Sequence, residues 1–217
     1  MRRTLLIGDV HGCNDELGEL LKVAGWTPDD RLVLVGDLTA KGPDSAGVVA
    51  RAREIGALAV LGNHDAHLLD VKAGLSKKAH HTKVAATLSE ADWKYLDQLP
   101  LWLDLPELNA LVVHAGLIPT VDLSRQPKHV LLNMRSIDSE GHASMRVDGG
   151  VPWASRWPGP RHVVFGHDAM RGLQQEKFAT GLDSGCVYGR ELTGLWLPEH
   201  KLVRVKAHRV WQPIDSG

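Results

Sequence analysis

Asp9 with His11, Asp37, Asn63 with His64, His114 and His167 each follow a short apolar run, and all are of types that bind metal ions. Carboxylate, imidazole and amide oxygen together suit Mn²⁺, Co²⁺, Fe, Zn²⁺ or Ni²⁺ better than Ca²⁺, which takes oxygen alone. Taken singly, such a carboxylate can cap a helix and such a histidine can be a hydrogen-bonded core residue. Five coincidences at the ends of five runs point instead to a cation site.

Those runs are the strands that must carry the groups. Residues 4–7 stop at Gly8-Asp9 as a buried strand would. Asn14 then stands where a helix can be capped, with Leu17, Leu20, Leu21 and Ala24 at helical spacing. Residues 32–35 end at Gly36-Asp37, and a second helix from about Asp44 sets Val48, Val49, Ala52 and Ile55 on one face. Residues 58–61 end at Gly62-Asn63-His64. A βαβαβ pattern of this kind implies parallel strands, right-handed crossovers and ligands gathered beyond the strands' carboxyl ends. Residues 66–99 read as mostly helical, with a helix start at Ser89, and Pro100 and Pro106 break the pattern. Further strands are expected at 111–113, 162–165, 192–197 and 202–205. The stretch from Pro119 to Pro160 is irregular and glycine-rich, and is expected to be a long active-site loop with limited helix.

Composition narrows the partners. The 217 residues suit one domain, 1–217, with a sizeable core. A formal charge of −1 gives no whole-protein field for nucleic acid or membrane, so an anionic substrate must be attracted locally. Two cysteines are too few for a disulfide framework, and no run approaches the roughly 20 apolar residues of a membrane span. The N-terminal apolar run is too short for a signal peptide, which makes the cytoplasm the expected compartment.

In order along the chain stand Gly8-Asp9-Val10-His11-Gly12, Gly36-Asp37 leading to Lys41-Gly42-Pro43-Asp44-Ser45, Gly62-Asn63-His64-Asp65, Val113-His114-Ala115-Gly116 and Phe165-Gly166-His167-Asp168. This set resembles the calcineurin-like metallophosphoesterases, in the branch of the phosphoprotein phosphatases and symmetrical diadenosine tetraphosphatases. The resemblance implies an α/β fold, a two-sheet β-sandwich flanked by helices, with a dinuclear metal site at the carboxyl edge of the strands. It implies that Asp9 and His11 bind one divalent metal, that Asn63, His114 and His167 bind the other, and that Asp37 bridges them. Two cations about 4 Å apart can polarise phosphoryl oxygens and acidify a water for attack. His64 resembles the family's general acid, though a histidine there can also do no more than orient substrate.

One departure matters. Where phosphoprotein phosphatases carry an Asp that supports this histidine, followed by an Arg, the chain has Ala40 and Lys41. Alanine accepts no hydrogen bond and lysine is a point charge without arginine's bidentate grip. The variant looks like the ApaH-like phosphatases, relatives of the symmetrical diadenosine tetraphosphatase. Arg135 offers a second phosphate grip, and the stretch from Gly181 to Gly189, containing Asp183, resembles that branch's C-terminal motif. Asp183 fits a structural role and a role beside the metals equally. The expected substrate is therefore a phosphorylated small molecule, first a dinucleoside polyphosphate such as diadenosine tetraphosphate, cut symmetrically to ADP with Mn²⁺ as the leading metal. Inorganic polyphosphate, nucleoside triphosphates and phosphoproteins follow, and a catalytically inactive metal-binding module is the alternative of another class.

Three features carry less. The basic run from Lys77 to Lys83 reads first as a solvated loop, otherwise as one wall of the mouth. Trp153 and Trp157 could stack a nucleobase or pack beneath the loop. Cys13 lacks the arginine that a thiol-based phosphatase requires nearby.

Overall fold

The computed structural model describes residues 2–214. Its first half alternates strand and helix: β1 (Thr4–Ile7), α1 (Asn14–Ala24), β2 (Arg31–Leu34), α2 (Ser45–Ile55), β3 (Leu58–Ala59), then three helices, α3 (Asn63–Lys72), α4 (Ala79–Ala85) and α5 (Glu90–Leu96). The rest is mainly strand: β4 (Trp102–Leu105), β5 (Ala110–Val113), α6 (Lys128–Asn133), β6 (Ser136–Ile137), β7 (Ala143–Ser144), β8 (Val151–Pro152), β9 (His162–Phe165), β10 (Gln174–Glu176), β11 (Ala179–Gly181), β12 (Glu191–Leu197) and β13 (Lys201–Lys206).

Two five-stranded sheets result, ordered β13-β12-β1-β2-β3 and β10-β11-β9-β5-β4. β1, β2 and β3 run parallel in the first, and β5, β9 and β11 in the second. Side chains of adjacent strand residues point to opposite faces, and both faces of each sheet are covered. Leu6, Val33 and Val35 of the first sheet meet Val112 and Val164 of the second. Their neighbours Leu5, Ile7, Leu32 and Leu34 turn outward, against Leu17, Leu20, Val48 and Ala52 of α1 and α2. Leu111, Val113, Val163 and Phe165 turn the other way, onto Val130, Leu131 and Trp153. That double burial makes the strands read as unbroken apolar runs, and it leaves their ends to carry the polar groups. Mixed α/β architecture with two sheets flanked by helices is what the sequence implies.

Several local expectations change. The cap of α1 is Cys13, because the Asn14 side chain bridges to α2 instead, donating to Asp44 Oδ2 at 2.8 Å and accepting from Arg51 Nε at 2.7 Å. Asp44 does cap α2 and Ser89 caps α5. β4 forms between the two prolines, paired antiparallel with β5. The supposed loop from Pro119 to Pro160 holds α6 and a small sheet, β7-β6-β8, whose two-residue strands are too short to show alternation. Trp153 is buried and donates Nε1–H to Ala115 O at 3.0 Å, and Trp157 donates to Arg161 O at 2.9 Å, so both tryptophans pack and neither faces the site. Among the described residues no helix is long and apolar enough to cross a membrane.

Candidate metal centre

At the carboxyl ends of the parallel strands the chain turns sharply, and the ligand-type residues sit in those turns. Of seven non-glycine residues with positive φ among those described, five are His11, Asp37, Ala40, Lys41 and His167. Each such conformation costs of order 1–2 kcal/mol, so the surrounding hydrogen bonds must hold it. Asp65 does much of this: its carboxylate accepts from Leu38 N, Thr39 N, Thr39 Oγ1 and Gly62 N at 2.6–3.3 Å, tying the turn after β2 to the start of α3. That role left no mark in the sequence beyond a helix-start position.

Three imidazoles are oriented in the same manner. His11 Nδ1 lies 3.0 Å from Thr39 O, His114 Nδ1 lies 2.9 Å from Val35 O, and His167 Nε2 lies 3.2 Å from Asn133 O. A carbonyl only accepts, so each of these nitrogens carries the proton and the opposite nitrogen presents a lone pair. Those lone pairs converge: His11 Nε2 is 3.4 Å from Asp37 Oδ2, while His114 Nε2 and His167 Nδ1 are each 3.0 Å from Asn63 Oδ1. His114 Nε2 is also 3.6 Å from the other Asp37 oxygen. Asp37 thus stands between two groups of donor atoms, Asp37-His114-His167 and His11-Asp37-His64, each spanning no more than 4.8 Å. Asp9 lies outside both groups; its two oxygens accept the His167 backbone N–H at 3.1 Å.

The charges agree with a cation-binding role. Burial, with Asp183 and Asp37 nearby, pushes Asp9 well above the usual carboxylate range, and burial pushes Asp37 and Asp183 up to about 6. Burial also lowers His11 and His167 well below the ordinary imidazole value, and lowers His114 to about 4. Crowded buried carboxylates faced by neutral imidazoles form a donor set that a divalent cation would stabilise on both counts. The residues present therefore fit two such ions.

A cavity of about 500 Å³ opens over this edge, lined among others by His11, Asp37, Asn63, His64, His167 and Asp183 and by Lys41, Arg135 and Tyr188. Lys41 Nζ lies 2.8 Å from Tyr188 Oη and 3.3 Å from His11 Nε2. Arg135 donates to Met145 O at 3.1 Å and His167 O at 3.4 Å, which pins the guanidinium to the cavity wall. The sequence assigns Tyr188 no role of its own. The basic run from Lys77 to Lys83, which reads first as a solvated loop and otherwise as one wall of the mouth, forms α4 in part, and its His80 and His81 line the cavity, in keeping with the second reading. Cys13 and Cys186 are buried and do not line it.

Gly166 lets the last motif approach the first: a Cβ there would collide with Asp9 Oδ1. Gly166→Ala is expected to weaken Mn²⁺ binding at least roughly tenfold, the cost typical of disturbing a ligand's support. Metal content after gel filtration checks this, with an unchanged stoichiometry counting against the assignment of Asp9.

A crystal structure of a candidate diadenosine tetraphosphatase superposes with a TM-score of 0.89 and 42% identity, covering 95% of this chain and 94% of that one. The symmetrical bis(5′-nucleosyl)-tetraphosphatase of Janthinobacterium sp. (strain Marseille) is 30% identical over 97% of this chain and 98% of its own. The asymmetrical bis(5′-nucleosyl)-tetraphosphatase of Halalkalibacterium halodurans is 33% identical over 97% of this chain and 95% of its own. With residues 2–205 matched, the chain belongs to the calcineurin-like phosphoesterase family.

Proposed function

We propose that the chain hydrolyses phosphoanhydrides of dinucleoside polyphosphates, dividing diadenosine tetraphosphate into two ADP. The observation that carries this reading is the set of three carbonyl-anchored imidazoles converging with Asp37 and Asn63 under a cavity walled by Lys41 and Arg135. Asp9 and His11 would hold one divalent cation, Asn63, His114 and His167 the other, with Asp37 shared and Mn²⁺ the leading candidate. When bound, two such ions supply Lewis-acid polarisation of the phosphoryl group and an acidified water.

The chain's own groups do the rest. Lys41 and Arg135 bring positive charge to the phosphate oxygens as negative charge builds there. Their fixed positions also orient the chain of phosphates across the floor. His64, at the cavity side of α3, faces the departing oxygen. Met170, Pro213 and Ile214 give the mouth an apolar rim, suited to a substrate that carries bases as well as phosphates. Inorganic polyphosphate would leave that rim without a partner.

Asymmetrical cleavage to ATP and AMP is a second reading, favoured by the relative of that name, whose alignment spans 241 positions against 275 for the symmetrical one. Anion-exchange analysis of products from diadenosine tetraphosphate with Mn²⁺, beside a chelated control, decides. ADP as the sole early product supports the proposal, and ATP with AMP moves the water to the outer phosphate. No cleavage, while tripolyphosphate or a phosphopeptide is consumed, overturns the dinucleotide reading.

Arg135→Ala is expected to raise KM, lower kcat or both, for a combined loss in kcat/KM of roughly 10–10³-fold, the range of a lost phosphate-charge contact. Steady-state kinetics check it, and values unchanged on every active substrate would leave Arg135 as a support of His167 alone.

A further inference from the structure

The His64 ring has a hydrogen-bond partner that none of the five motifs supplies. His81, on α4, places Nε2 3.2 Å from His64 Nδ1, with the two ring planes only 17° from parallel. His81 is 6% exposed and is wedged between His67, at 5.4 Å centroid to centroid, and His80, at 5.8 Å. The same helix reaches the site a second time, where His80 Nε2 accepts the Lys41 backbone N–H at 2.7 Å. Since Ala40 provides no side-chain acceptor, α4 is the element that meets His64 where a neighbouring turn does not.

The direction of the hydrogen bond decides what His64 can offer. His81 Nδ1 is buried and has no hydrogen-bond partner among the described residues. A buried orphan N–H is costlier and rarer than a bare acceptor nitrogen. The proton of His81 therefore belongs on Nε2, which donates to His64 Nδ1. With Nδ1 accepting, His64 keeps its own proton on Nε2, the nitrogen left to face the cavity.

We propose that His81 is a positioning residue that fixes the ring and tautomer of His64, so that a preset Nε2–H meets the leaving oxygen. This rests on the phosphoanhydride reading. Among the described residues neither ring is in ion-pair contact with a carboxylate, so the pair is a chain of hydrogen bonds and not a carboxylate-backed acid. A hydrogen bond suffices where the leaving oxygen belongs to a phosphate, whose second pKa lies near 6, whereas a serine alkoxide needs a full proton. The pair accordingly matches anhydrides better than alkyl phosphoesters.

The test compares His81→Ala, His81→Gln, His64→Ala and the double variant His64→Ala/His81→Ala. Substrates are diadenosine tetraphosphate and a series of aryl phosphates of graded phenol acidity. His81→Ala is expected to lower kcat on the dinucleotide roughly 10–10²-fold with KM changed less than about twofold. Its loss should grow as the phenol becomes less acidic. His81→Gln retains an N–H donor at this position and should recover most of the rate. In the His64→Ala background the second substitution should cost nothing further.

Additive losses, an effect confined to KM, or equal losses across the aryl series would overturn the proposal. Nitrogen NMR of the Zn²⁺-loaded protein gives a readout free of turnover: the His64 signal, assigned by its disappearance in His64→Ala, should show the Nε2–H tautomer. An Nδ1–H tautomer there overturns the proposal whatever the activity. If the wild-type protein leaves the dinucleotide intact yet hydrolyses aryl phosphates, the substrate reading fails, and the aryl series still decides on His81.

Discussion

Asp37→Asn is expected to lower turnover by roughly 10³-fold or more, with the fold intact. The magnitude follows from the position of Asp37 between both donor groups, since losing its charge weakens both ions at once and each supplies several kcal/mol of transition-state stabilisation at about 1.4 kcal/mol per tenfold. The fold should survive for two reasons. Asp37 has φ 49°, a conformation asparagine tolerates as readily as aspartate. Its Oδ1 accepts the His64 backbone N–H at 2.8 Å, and the asparagine amide oxygen can accept the same bond. What asparagine cannot supply is the second oxygen facing His11 Nε2, where its NH₂ would present protons. Steady-state kinetics at saturating Mn²⁺, with a melting curve for each protein, check the result, and a near-wild-type rate would remove Asp37 from the bridging position.

The asymmetry between what this sequence discloses and what it withholds has a physical origin. Ligand-type residues at strand ends are legible because both sheet faces are buried, so each strand is an apolar run and the polar residue that stops it stands out. His11, Asp37, Asn63, His114 and His167 announce themselves in this way. Asp65 does not, since a buried carboxylate that takes backbone N–H bonds has no distinctive neighbours along the chain, and Asp183 is marked only by its C-terminal motif, which leaves a structural role and a role beside the metals equally open. Tyr188 was visible within its motif, yet its contact with Lys41 joins residues 147 positions apart. His80 and His81 sit among lysines, a pattern that ordinarily marks a solvated face, which makes a wall of the mouth the second reading of that run and not the first. The loss of an acceptor at Ala40 could be read from the sequence, but only the packing of α4 against α3 shows which side chain meets His64 in its stead. The short strands β6, β7 and β8 lack enough residues for any alternation to appear, and β10 and β11 nearly so.

Divalent cation should raise the melting temperature of the chelated protein by roughly 10 °C at pH 7.5 when Mn²⁺ is about a thousandfold above its dissociation constant, because that excess is worth about 4 kcal/mol and each kcal/mol moves a chain of this size by about 2–4 °C. The increment should shrink to a few degrees near pH 5. Asp37 and Asp183 have folded-state pKa values raised from 3.8 to about 6 by burial. Such a group contributes stability that is present below its unfolded value and is lost as pH rises through the folded one. In chelated protein that loss is complete by pH 7.5, where the carboxylates are charged and crowded, and cations held by Asp37 beside Asp183 would reverse it. Near pH 5 the protons already occupy those oxygens and compete with the metal. The lowered imidazoles have the opposite sign: they destabilise the fold as pH falls below the ordinary histidine value, with metal or without, and so drop out of the difference. Differential scanning calorimetry across this range, with Mn²⁺ and with chelator, measures the increment directly. An increment equal at both pH values would place the metal away from Asp37, and no increment at pH 7.5 would count against a cation held by the convergent histidines.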